Sequence, residues 1–96
     1  MTLETFKETL NDSEPLRLSI PLRALWHEGR GGWKRAHELL QAEADGPGAW
    51  VHAYLHRKEG DLPNAAYWYK RAGKPVATGS LSVEWNAIAE ALLADG

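Results

Sequence analysis

The chain predicts an all-α domain, on three observations: apolar residues recur at spacings of three and four, glycine and proline clusters cut the chain into helix-sized pieces, and β-branched apolar residues are scarce. No segment alternates apolar and polar residues over a strand's length, so no sheet is required. The expected architecture is two helical hairpins, residues 21–43 and 48–74, flanked by an N-terminal helix (1–12) and a C-terminal helix (80–94) in one compact bundle.

The first helix follows from Leu3, Phe6 and Leu10, which share one side, with Thr2 placed to cap it. Between Asn11 and Pro21 two prolines and several turn-forming residues (Asn11, Asp12, Ser13, Ser19) predict a surface connector. Leu22, Leu25 and Trp26 then form one helical face, stopped by Gly29, Gly31 and Gly32. Trp33, Ala36 and Leu40 form the next. After a break at Asp45-Gly46-Pro47-Gly48, a third core helix is expected from Ala49 to Glu59, with Gly60 as its stop and Asp61 as the cap of its successor. That successor runs from Leu62 to Ala72 and turns Leu62, Ala65, Tyr69 and Ala72 inward; Pro63 falls in its first turn, where proline is tolerated. Leu81, Trp85, Ile88 and Leu92 mark the last helix, entered through Ser80 or Ser82.

Composition narrows the class of use. Ninety-six residues with 44% apolar content suit a single domain, and five tryptophans, three tyrosines and one phenylalanine supply large packing units. Eleven basic against thirteen acidic residues leave a net charge of −2, which offers no broad positive field for nucleic acid. Cysteine is absent, which removes disulfides, thiolate nucleophiles and cysteine-based zinc sites together. The segment Met1 to Glu8 is neither a secretory signal nor a membrane span. A cytoplasmic protein without a membrane partner is the resulting expectation.

Sliding the chain against itself by 29 positions superposes Ala24 on Ala53, His27 on His56, Gly31 on Gly60, Trp33 on Leu62, Ala36 on Ala65 and Leu40 on Tyr69. Helix, glycine turn and helix recur in that order, and the alanine in each second helix lets two axes approach closely. Ala49 to Pro75, with Trp50, Ala53, Gly60-Asp61-Leu62, Ala65, Tyr69 and Ala72, resembles one tetratricopeptide-like helical repeat, and residues 21–43 resemble a degenerate copy. The run Ala66 to Ala72 is similar to the second helix of the shorter variants of that superfamily, and Trp50 to Gly73 is also similar to a segment of small bacterial proteins. The resemblance implies a peptide- or protein-binding concave side. Its usual period is about 34 residues, against 29 here, and it places apolar residues where His52 and His56 fall.

Two stripes on the third core helix carry the candidate chemistry. Trp50, Tyr54, Arg57 and Lys58 fall within about 100° of one another on a helical wheel. The resemblance puts them on the concave side with Glu28 on the matching turn of the first hairpin. Cations beside aromatic rings fit a partner's carboxylate or phosphate, or else form a packed core edged by a solvated helix end. The other stripe holds His52, His56 and Glu59, with His37 on the preceding helix. Histidines four apart can reach one metal ion, although no glutamate lies between them as in His-Glu-x-x-His. Gly29-Arg30-Gly31-Gly32 lacks the Lys-Ser/Thr continuation of a phosphate loop and is a turn. The leading expectation is a non-enzymatic interaction module with no cofactor, binding a protein, a peptide or a second copy of itself as a homodimer. The alternative is a metal-binding protein or metal-dependent enzyme built on the histidine stripe.

Overall fold

A computed structural model describes residues 1–95. Six α-helices follow in order: α1 (Leu3–Glu8), prolonged by a 3-10 turn over Thr9–Asn11, α2 (Ile20–Gly29), α3 (Trp33–Leu39), α4 (Gly46–Glu59), α5 (Leu62–Ala72) and α6 (Leu81–Asp95). Among the described residues there is no strand, and no helix is long and apolar enough to cross a membrane. The molecule measures 34 × 26 × 24 Å.

The helix starts are set by short polar side chains that accept from otherwise orphaned backbone N–H groups. Thr2 accepts from Thr5 (3.1 Å), Ser19 from Leu22 (3.4 Å), Asp61 from Asn64 (3.2 Å) and Ser80 from Val83 (3.2 Å). Of the two serines considered for α6, Ser80 is the cap.

Both hairpin turns close in one way. Gly31 (φ +84°) and Gly60 (φ +89°) are left-handed, and the flanking amides bond back across the helix end, Gly32 to His27 O (2.8 Å) and Asp61 to His56 O (2.9 Å). This is the glycine cap that reverses a chain after a helix, and it falls at the two positions that the sequence self-alignment pairs. Accordingly α2 packs on α3 and α4 on α5, while α6 lies across α2 and α4 and also meets α1.

Phe6, Leu22, Leu25, Trp26, Ala36, Leu40, Leu55, Trp85, Ile88 and Leu92 form the main core, and Ala53, Ala65 and Tyr69 a smaller one between α4 and α5. Buried indole N–H groups find partners, as they must in an apolar interior. Trp85 donates to Leu25 O (3.2 Å), Trp26 to Thr9 Oγ1 (3.0 Å) and Trp33 to Leu55 O (2.9 Å).

Several boundaries differ from the sequence expectation. Helix α4 starts at Gly46, not Ala49, because Pro47 sits in its first turn, where its missing N–H is harmless. Gly48 is then a packing residue: a Cβ there would lie 2.8 Å from the Glu43 carbonyl oxygen. Helix α3 stops at Leu39, several residues before position 43. Leu62 was expected inward but is 62% exposed, since it occupies the first position of α5, beyond the reach of α4.

Candidate functional site

The two stripes lie on opposite sides of α4. The first faces α2 and α6, and its members have different fates. Trp50 is half-buried beneath Lys74, whose Nζ stands 4.2 Å from a ring centroid. Tyr54 is buried. Arg57 donates to the buried Glu84 carboxylate (Nη1–Oε1 2.8 Å) and to Gly79 O, and Lys58 pairs with Glu28, which is only 2% exposed. The Tyr69 hydroxyl donates to the other oxygen of Glu84. Two buried carboxylates therefore each have a cation, as charge burial demands. Glu84 was not among the sequence candidates; the signal for it is a charge lying between Leu81 and Ile88 on the inward stripe of α6.

Glu28 and two of the four stripe residues meet again at one place. Glu28, Tyr54 and Lys58 line a pocket of about 400 Å³ whose apolar wall is Leu10, Leu81 and Trp85 and whose rim carries Lys7, Ser82 and Asn86. Trp50 and Arg57 are not in it. Burial and the carboxylates of Glu28 and Glu84 raise the Tyr54 phenol well above its ordinary range, so it is a protonated hydrogen-bond donor throughout the neutral range. A larger cleft of about 720 Å³ lies between the connector, the start of α4 and the end of α6, lined by Leu16, Leu18, Leu22, Pro47 and Leu92. Of its charged residues, Arg17, Asp45 and Asp95 stand exposed at the rim and Glu43 is half-buried.

The second stripe faces α3 and α5. His37, His52 and His56 come together with one nitrogen of each within 4.8 Å of the others. Ring centroids lie 5.4 Å apart for His37 and His52, 5.5 Å for His37 and His56, and 6.1 Å for His52 and His56. Trp33 stacks on His37 at 5.1 Å and Trp68 on His52 at 4.1 Å. His52 Nε2 bonds Leu40 O (3.0 Å), and His52 Nδ1 is buried with no partner. His56 Nδ1 bonds Glu59 Oε1 (2.6 Å). Glu59 thus meets His56 from behind; with His56 and Asp61 it forms a second cluster, whose two carboxylates are exposed. The fourth histidine, His27, is engaged elsewhere, with Glu14 at 2.6 Å.

Comparison with protein-family models, with curated proteins and with solved structures finds no match.

Proposed function

We propose that this chain is a non-enzymatic interaction module in which two tetratricopeptide-like hairpins present a pocket for a short segment of a partner protein. The observation that carries this reading is the convergence of Glu28 from the first hairpin and Tyr54 and Lys58 from the second on one concave site with an apolar wall. An apolar partner side chain seats against Leu10, Leu81 and Trp85, and the Tyr54 hydroxyl and Lys58 ammonium supply directional contacts at its edge. The rest of the groove between the hairpins is filled by the chain's own α6, which packs across α2 and α4 as a helix lying in a groove.

Leu81 tests the reading, because it opens α6 at the pocket wall and an acidic residue in a first turn is compatible with the helix dipole. Peptides selected from a displayed random library should bind the wild-type chain and lose affinity at least about tenfold, or 1.4 kcal/mol, on Leu81→Asp, with the helical circular dichroism unchanged. Equal affinity for the variant, or a library that yields no binder, contradicts the proposal. Light scattering of the free chain separates this partner from a second copy, since a dimer dissociated by Leu81→Asp would place self-association in the same pocket.

A further inference from the structure

We propose that His37, His52 and His56 form a binding site for one divalent transition-metal ion of the zinc class, held between the two hairpins. The inference is independent of the peptide pocket: on α4, His52 and His56 each point about 160° away from Tyr54.

The hydrogen-bond pattern fixes which nitrogens are available. A carbonyl oxygen only accepts, so the bond to Leu40 O puts the His52 proton on Nε2 and leaves a lone pair on Nδ1. That nitrogen is buried and unpartnered, in a side chain only 4% exposed. A buried polar atom with no partner is destabilising by about 1–3 kcal/mol in an interior, and it calls for a ligand. Glu59, a carboxylate, accepts from His56 Nδ1 and leaves the lone pair on Nε2, where the Asn64 side-chain amide donates at 3.4 Å and would have to give way to an ion. Backbone carbonyl behind one imidazole and carboxylate behind another is the arrangement that orients metal-binding histidines and raises their basicity.

The spacing fits an ion. A tetrahedral centre with nitrogens at about 2.0–2.1 Å sets imidazole centroids about 5 Å apart and ligand nitrogens about 3.4 Å apart. The observed centroids at 5.4, 5.5 and 6.1 Å and nitrogens within 4.8 Å need a closure of about 1 Å. The half-buried His37, which has no hydrogen bond to break, is free to rotate inward and close its own two gaps, while the 6.1 Å gap between His52 and His56 closes by tilting of their rings. Three imidazoles select zinc, copper, nickel or cobalt over magnesium and calcium, which take oxygen ligands. The fourth position falls to water or an added ligand. The ion would tie α3 of one hairpin to α4 of the other.

The test is calorimetric titration of the untagged, chelator-washed chain with Zn²⁺ alone, with Co²⁺ as a spectroscopic substitute. The expected result is one ion per chain with a Kd of about 1 μM or tighter, intense visible bands of tetrahedral Co²⁺, and a change in tryptophan fluorescence from Trp33 and Trp68. His52→Ala and His37→Gln should each weaken binding at least about a hundredfold, a change of 2.7 kcal/mol. Glu59→Gln should weaken it about tenfold or more, as loss of a ring-orienting partner does. His27→Ala should leave it unchanged. If His52→Ala does not fold, His37→Gln decides, because that side chain is half-exposed and carries no structural hydrogen bond. Absence of stoichiometric Zn²⁺ binding to the folded chain, or binding that survives His37→Gln or is lost with His27→Ala, overturns the site.

Discussion

Helix α4 offers a comparison within fourteen residues, because its two polar faces are handled in opposite ways. On the side toward α2 and α6 every buried charge is answered: Glu28 by Lys58, and Glu84 by Arg57 and the Tyr69 hydroxyl. On the side toward α3 two histidines are equally buried, yet one nitrogen of His52 has no partner at all. Charge and burial alone do not distinguish the two faces. What differs is whether the hydrogen-bond capacity is used, and an unused buried lone pair is where a ligand has something to gain.

The difference can be broken first on the satisfied side. Arg57→Ala removes the cation from a carboxylate that is 8% exposed, and should destabilise the fold by about 3–5 kcal/mol in chemical denaturation, since a buried charge is left without a countercharge. A loss below about 1 kcal/mol would put this pair with ordinary surface ion pairs. The next effect is on pH. Burial and the hydrogen bond to Glu84 raise the Tyr69 phenol above its unfolded value of about 10. Its contribution is therefore complete below pH 10 and is lost as pH rises beyond it, because the unfolded chain gives up the proton first. Thermal melts should fall steeply above about pH 10, and Tyr69→Phe should remove its share of that limb, leaving the share of Tyr54, while lowering the neutral-pH melting temperature through the lost bond to Glu84. The smallest effect is expected at Arg71, which pairs with the 77% exposed Asp45 and leans on Tyr67 and Trp68 at the surface. Arg71→Ala should melt with the wild type within scatter; a clear drop would show that exposed pairs contribute here as buried ones do.

Much of the fold was legible because its signals are local. The glycines at 31 and 60, the caps Thr2 and Asp61, and the stripe Leu81, Trp85, Ile88, Leu92 each act within one turn of chain, where spacing alone predicts geometry. The break at Asp45 to Gly48 was misleading for the same reason: glycine and proline together ordinarily end a helix, and only the close approach of Glu43 shows that Gly48 is needed inside one. The site was half legible. Spacing places Tyr54 beside Lys58 and His52 beside His56, but the partners that decide their roles arrive from afar, Glu84 from α6 and the Leu40 carbonyl from the end of the first hairpin. Glu84 breaks the apolar pattern of α6 and was detectable on that ground. The tautomer of His52 was not, because it depends on one carbonyl twelve residues away in sequence.

That tautomer is the most direct test of the contrast between the faces. Long-range proton–nitrogen NMR of the metal-free chain at neutral pH should show His52 as a neutral imidazole protonated at Nε2 with a bare Nδ1. A proton on His52 Nδ1, or a charged ring at that position, would contradict the account, because the unpartnered lone pair of the buried cluster would then be gone.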